Sequence, residues 1–281
     1  VAALRAAAER GAAVTIASGR AWSLLRAVDA QIGVTRYAVL SNGAAVLDVA
    51  TGAWIYRRPM DPAARRTILT LLLDWGLPFE VYCEGENYIQ ADRTEQVVGN
   101  ALSPEFAQVL RTCSHFPEDL NAALEGKAVE KIHIFHVPPE CRQELLDAVE
   151  ACGPLAVTTS FGENMELTAP GVNKGSAVQA LCVRLGLEPN QVMAFGDAGN
   201  DLELLGWAGW SFAMGNASDE AKATARYLTG TNREGGVGMA VDHYLLTAYL
   251  NGACLLSCAV FLMVDFQRAT EGTSGCCSGW V

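Results

Sequence analysis

The sequence predicts an α/β protein, a doubly wound, Rossmann-like parallel sheet into which a smaller α+β domain is inserted. Three observations carry this. The first fifty residues alternate helix, strand, helix, strand with short connections, the middle of the chain changes to paired strands broken by helices, and the alternation resumes at Asn173. A length of 281 residues suits one large domain or two ordinary ones.

Each element has a local cause. Leu4 to Arg10 is an Ala-rich helix, Gly11 fits its carboxyl cap, and Ala12 to Ala17 is a short apolar strand ending in Ser18-Gly19-Arg20. A helix from Ala21 to Ile32, a strand Tyr37–Leu40 and a turn Ser41-Asn42-Gly43 follow. Asp61-Pro62 then opens a helix to Trp75, and Phe79 to Ala91 reads as two strands turning at Glu84-Gly85-Glu86-Asn87. Lys131–Val137 is a strand, Pro138-Pro139 begins a helix ending near Gly153, and Leu155–Ser160 and Asn164–Thr168 are two further short strands. The alternation resumes with helix Asn173–Leu185, strand Gln191–Phe195 and helix Asn200–Gly206. The expected organisation is a discontinuous core, 1–57 and 169–244, an inserted cap, 58–168, and an apolar tail, 245–281.

Composition narrows the function classes. Twenty Lys and Arg against 31 Asp and Glu leave a formal charge of −11, which disfavours a nucleic-acid backbone or an anionic membrane surface as the partner. Hydrophobic residues at 51% and charged ones at 18% exclude a disordered chain. Nine scattered cysteines, with no CxxC pairs and no zinc-type His spacing, fit buried thiols in a reducing compartment, and the expected location is the cytoplasm.

Chemistry concentrates at strand ends. The apolar run Val192 to Phe195 delivers Asp197 past Gly196, and Asn200 and Asp201 open the next helix. Ligands of doubly wound sheets bind beyond the carboxyl ends of the strands, where a Mg²⁺ site needs only one or two carboxylates. Helix capping accounts for Asn200 and Asp201 but not for Asp197. Ser18, Gly19 and Arg20 place a hydroxyl, backbone N–H groups and a cation at a second strand end, a common loop composition that also suits phosphate. Lys174 stands at a helix start, where it opposes the helix dipole; it is a solvated lysine or one that meets an anion.

Taken together, these segments resemble the haloacid-dehalogenase-like hydrolases, specifically the Cof-type group (subclass IIB), whose cap lies between the second and third motifs. Ala17-Ser18-Gly19-Arg20 matches the second motif, Val172-Asn173-Lys174-Gly175 the third, and Gly196-Asp197-Ala198-Gly199-Asn200-Asp201 the fourth. Leu40-Ser41-Asn42-Gly43-Ala44 and Ala213-Met214-Gly215-Asn216-Ala217 also fit, and the resemblance covers roughly residues 1–246. It implies a Mg²⁺-dependent phosphatase acting on small phosphorylated metabolites such as sugar phosphates, through an aspartyl-phosphate intermediate. By the same resemblance, Ser18 bonds the phosphoryl group, Lys174 neutralises its charge, and Asp197 binds Mg²⁺. Asn200 and Asp201 join or orient the metal shell, Lys174 or the phosphate, with Asn200 also among the phosphate-binding residues, while Gly19, Arg20 and Asn42 touch substrate or hold the loops. The cap selects the substrate, with Glu84, Tyr88 and His133 as candidate lining residues.

The family's first motif, an Asp-x-Asp pair giving nucleophile and general acid/base, occurs nowhere in the chain. It is expected ahead of Val1, which implies a chain without its central strand, an open sheet and no turnover of its own. The competing class is a non-catalytic phosphate-binding pseudo-enzyme. The tail adds three readings. Residues 245–264 carry no formal charge over 20 positions, enough for a membrane span, but they also suit a helix over the open sheet or an appended aberrant sequence. Within it, Cys258 to Val264 is an apolar run ending in Asp265, which also reads as a relocated first strand with Asp265 as nucleophile and Gln267 at the second acidic position.

Overall fold

The computed structural model describes residues 1–159, 163–247 and the backbone of a strand at 259–263. Strands β1 (Ala13–Ala17), β2 (Tyr37–Leu40), β3 (Ala45–Asp48) and β4 (Ala53–Arg57) come first in the chain. Then follow β5 (Phe79–Cys83), β6 (Glu86–Tyr88), β7 (Ser114–His115), β8 (Val129–Ile134), β9 (Ala156–Thr158) and β10 (Met165–Thr168). The last four are β11 (Val192–Gly196), β12 (Trp210–Ala213), β13 (Tyr227–Leu228) and β14 (Ala259–Met263). The chain divides into two units, one of residues 1–19, 26–56 and 173–281, the other of 20–25 and 57–172. Compared with the sequence expectation, residues 20–25, 57 and 169–172 go with the second unit.

The first unit holds an eight-stranded sheet in the order β13-β12-β11-β14-β1-β2-β3-β4. The pairs from β13 to β2 are all parallel, and β3 turns back antiparallel on β2. Val14, Ile16, Val39, Ala194 and Phe195 are all buried, as continuous apolar strands covered on both faces require. One cover is the helix Lys174–Leu185, whose Ala177, Val178 and Leu181 pack against Val39, Val46 and Ala194. Its start is fixed by a capping box, Asn173 Oδ1 accepting from the Ser176 N–H at 2.7 Å, and its end by Gly186 in the left-handed region.

Strand β14 lies between β1 and β11, parallel to both, with Ala13 level with Ala259, Ala17 with Met263, and Val192 with Ala259. This corrects the expectation of an open central slot, because a strand from the tail fills it. It also removes a continuous 245–264 membrane helix, since the segment contains a sheet strand. Among the described residues no helix is long and apolar enough to cross a membrane. Asp265 and Gln267 lie outside the described residues.

The second unit is a six-stranded sheet, β7-β6-β5-β8-β10-β9. Its hairpin β5–β6 turns on two residues, Glu84 and Gly85, both at positive φ (55° and 78°), the backbone that matches strand twist. On one face Phe79, Val81, Ile132, Ile134 and Leu167 pack against Ile68, Leu69 and Leu72 of the helix Pro62–Asp74. That helix starts where the sequence predicts, Asp61 accepting from the N–H groups of Ala63 and Ala64 with Pro62 at the first position. A second cluster joins Tyr82, Ile89, Val97 and Leu110 to Ala21 and Leu24, which is why residues 20–25 belong here. The sheet also carries buried polar groups. Glu80 accepts from Tyr82 Oη and Asn87 Nδ2 at 2.7 Å each and contacts His133 Nδ1 at 2.9 Å, while Lys131 pairs with Glu166 at 2.6 Å.

Two predictions follow from these packings. Phe261→Pro removes a ladder donor from a strand paired on both edges and should destabilise the first unit by about 2 kcal/mol or more in urea unfolding. Burial pushes the Cys83 and Cys182 thiols up to about 12, so both should resist Ellman's reagent at pH 8 and react once the chain is unfolded.

Candidate active site

The candidate site lies in the first unit, at the carboxyl ends of β1, β2, β11 and β12 and the start of the helix Lys174–Leu185. In a doubly wound sheet these ends share one edge, and the winding reverses at the middle strand, so a crevice opens there.

Lys174 and Asp201 form its buried centre. The ammonium is 1% exposed and the carboxylate 0%, with Nζ donating to Oδ1 at 2.9 Å. The other oxygen of Asp201 accepts the backbone N–H groups of Asp197 at 3.0 Å and Ala198 at 3.1 Å. One side chain thus fixes both the lysine and the turn that leaves β11. Gly196 is required in that turn, because a Cβ there would come within 2.7 Å of the Asp201 Cβ. Burial pushes the Asp201 carboxyl up, and Lys174 and the two amides pull against that shift.

Asp197 follows on the strand end, 8% exposed, with Asn216 Nδ2 at 3.5 Å from Oδ2. Asn216 is itself oriented by the Asn232 N–H, which donates to its side-chain oxygen at 3.0 Å. Sequence reasoning gave Asn216 no role of its own, although its place just after β12, in Met214-Gly215-Asn216, repeats the strand-end pattern of Asp197.

Ser18 is 2% exposed; its N–H donates to the Val39 carbonyl at 2.8 Å, and its carbonyl accepts from the Asn42 N–H at 3.2 Å. The loop after β2 is held in an uncommon backbone, with Ser41, Asn42 and Gly43 at φ of 52°, 59° and 100°. Gly43 cannot be replaced without movement, because its Cβ would collide with the Asn173 carbonyl at the head of the helix. This close approach sets the loop against Lys174, and Asn42 Oδ1 accepts from Asn200 Nδ2 at 3.4 Å. Ser18, Gly19, Asn42, Lys174, Asp197, Asn200 and Asp201 therefore all belong to the first unit. Arg20 belongs to the second, where its guanidinium lies 4.2 Å from the centre of the Phe106 ring.

Counted as ionised, Lys174, Asp197 and Asp201 sum to one net negative charge, an environment that favours a cation. The donor set fits Mg²⁺, since Asp197 offers a hard carboxylate while both oxygens of Asp201 already accept from protein donors. Mg²⁺ takes one or two carboxylates and completes its shell with water and phosphate oxygens.

Asp201→Ala would leave the Lys174 ammonium buried without its carboxylate. The expected loss is about 3 to 5 kcal/mol of stability, read from urea unfolding at pH 7.

Comparison with known proteins gives this geometry a family. The family model described as haloacid dehalogenase-like hydrolase matches residues 1–241. The 5-amino-6-(5-phospho-D-ribitylamino)uracil phosphatase YcsE of Bacillus subtilis (strain 168) is 40% identical over 107 residues, 38% of this chain and 43% of that protein, so the chain matches less than half of its length. The HMP-PP phosphatase of Klebsiella pneumoniae (strain 342) is 28% identical over 246 residues, covering 86% of this chain and 87% of that one. The solved structure of the HAD subclass IIB sugar phosphatase BT4131 superposes with a TM-score of 0.70 at 21% identity, over 86% of this chain and 89% of that chain, a likeness of fold. With a family model spanning most of its length and the fold to match, the chain belongs to the haloacid dehalogenase-like hydrolases.

Proposed function

We propose that this protein is a Mg²⁺-dependent phosphomonoester hydrolase of the Cof type acting on small phosphorylated metabolites. The observation that carries the reading is the buried Lys174–Asp201 pair beside Asp197, a fixed cation and a strand-end carboxylate on the crevice edge that also holds Ser18. Lys174 cannot turn away, because its ammonium is held by a carboxylate that is itself held by two amides, so its charge is set before a phosphate arrives. Such preorganised charge is what phosphoryl transfer rewards, since the transition state spreads negative charge over the transferring oxygens. Ser18 is assigned to bond those oxygens, Asp197 to hold the metal, and Asn200 and Asp201 to orient the groups around it. When bound, Mg²⁺ supplies the positive charge that offsets the phosphate's second negative charge.

Substrate choice is assigned to the second unit. The relatives named for phosphatase activity act, by their names, on a phosphoribityl pyrimidine, on HMP-PP and on sugar phosphates, which supports a small phosphorylated metabolite as the class. A non-catalytic phosphate-binding protein is the competing reading, since Ser18, Lys174 and Asp197 would hold a phosphate with or without turnover.

The two readings part on turnover. Phosphate release is measured over a panel of sugar phosphates, 5-amino-6-(5-phospho-D-ribitylamino)uracil and HMP-PP, with and without Mg²⁺, alongside calorimetric titration of inorganic phosphate. Binding should need Mg²⁺ and weaken about tenfold to a hundredfold in Ser18→Ala and in Asp197→Asn, the range of a lost charge-assisted contact. Mg²⁺-dependent release makes the protein an enzyme; binding without release on any member of the panel makes it the binding protein.

A further inference from the structure

Asp197 is the metal's carboxylate in the reading above, and its main chain is clamped. Its N–H donates to Asp201 Oδ2 at 3.0 Å, its carbonyl accepts from the Ser218 N–H at 2.9 Å, and the Gly196 carbonyl before it accepts from the Met214 N–H at 3.0 Å. With the backbone fixed, the freedom left to Asp197 is the turn of its carboxylate.

Asn216 lies against that carboxylate. Its Nδ2 donates to Asp197 Oδ2 at 3.5 Å, a long contact, but one whose sense is set from behind. The Asn232 N–H donates to Asn216 Oδ1 at 3.0 Å, so the NH₂ end of the amide is the end that faces Asp197. Asn232 stands in a loop closed on itself: Thr229 Oγ1 donates to the Gly236 carbonyl at 2.6 Å, and Glu234 Oε2 accepts from the Thr231 N–H at 2.8 Å and from its hydroxyl at 2.9 Å. The Gly215 N–H donates to the Gly230 carbonyl at 3.1 Å and ties this loop to the turn that carries Asn216.

A carboxylate with an amide donor on one oxygen offers a cation the other. Divalent cations differ in what they ask of it: Mg²⁺ demands a near-ideal octahedron and keeps several waters, whereas the larger Ca²⁺ takes more oxygens and accepts both from one carboxylate. Resting on the assignment of Asp197 to the metal, we infer that Asn216 is a positioning residue that holds Asp197 to a single oxygen toward the cation and so sets a preference for Mg²⁺ over Ca²⁺. Asn216 acts through Asp197, and the loop 229–236 acts through Asn216. Without the amide, Asp197 can turn and present both oxygens, which costs Mg²⁺ an oriented ligand and gives Ca²⁺ a bidentate one.

The test uses the full chain, stripped with EDTA and titrated calorimetrically with MgCl₂ and, separately, with CaCl₂. The readout is the ratio of the two affinities. In Asn216→Ala the ratio of Mg²⁺ to Ca²⁺ affinity should fall about tenfold, the low end of what an outer partner of a metal ligand contributes. Asn216→Asp keeps the size of the side chain and an oxygen for the Asn232 N–H but loses the donor, so its ratio should shift toward Ca²⁺ as well, and it decides the outcome if the alanine variant does not fold. A merely structural role would lower both affinities together. A ratio that stays or rises therefore overturns the inference and leaves Asp197 as the metal's carboxylate. Wild-type protein that takes no Mg²⁺, or that takes it equally well as Asp197→Asn, overturns that assignment and the inference with it.

Discussion

A strand in the middle of a parallel sheet must pair its backbone on both edges, and in this chain that demand falls on β1 and β11. Neither can be an edge strand, because each carries buried apolar side chains and a further strand on its outer side. An unpaired row of N–H and C=O groups between them would stand in the most apolar part of the fold. The pairing of β14 to both meets the demand. The crevice depends on it as well, since Ser18 and Asp197 end the two strands that β14 holds side by side.

The second constraint is electrostatic and acts at short range. A lysine and an aspartate buried together are costly to desolvate, and replacing such a pair with apolar residues often leaves stability unchanged or improved. Stability alone therefore does not account for Lys174 and Asp201. Their value lies in orientation, because Asp201 ties the helix start at Lys174 to the turn after β11 and keeps an ammonium and a carboxylate at fixed places on one edge. Asn216 and the strained loop Ser41-Asn42-Gly43 extend this positioning to the neighbouring strand ends.

What the sequence makes legible follows the range of the interaction. The helix after Asp61-Pro62 and the helix after Asn173 are readable because their caps lie within three residues of their starts. Ser18, Lys174 and Asp197 are readable because each stands at a junction of an apolar run and a polar turn. The helix expected from Ala21 to Ile32 begins only at Arg26, because Ala21 and Leu24 are drawn into the apolar cluster of the second unit, and no local signal announces that packing. Strands β3 and β4 escape a local reading since Ala45–Asp48 is short and Ala53–Arg57 is only partly buried, so neither shows a clear period. The partnership of Lys174 with Asp201 joins residues 27 apart in sequence, and the slot of β14 is set by pairing that sequence alone does not specify.

That pairing also bears on the order of folding. Ala13 is level with Ala259, almost the whole chain away, so closing the central ladder carries one of the largest loop-closure costs the chain can have. The second unit has a smaller burden: all six of its strands lie between Phe79 and Thr168, so every pairing closes a far shorter loop. Its sheet can consolidate while the first unit still has exposed edges on β1 and β11. Among the described strands β1 and β11 are joined only through β14, so loss of that strand should reach function through loss of the fold around Ser18 and Asp197.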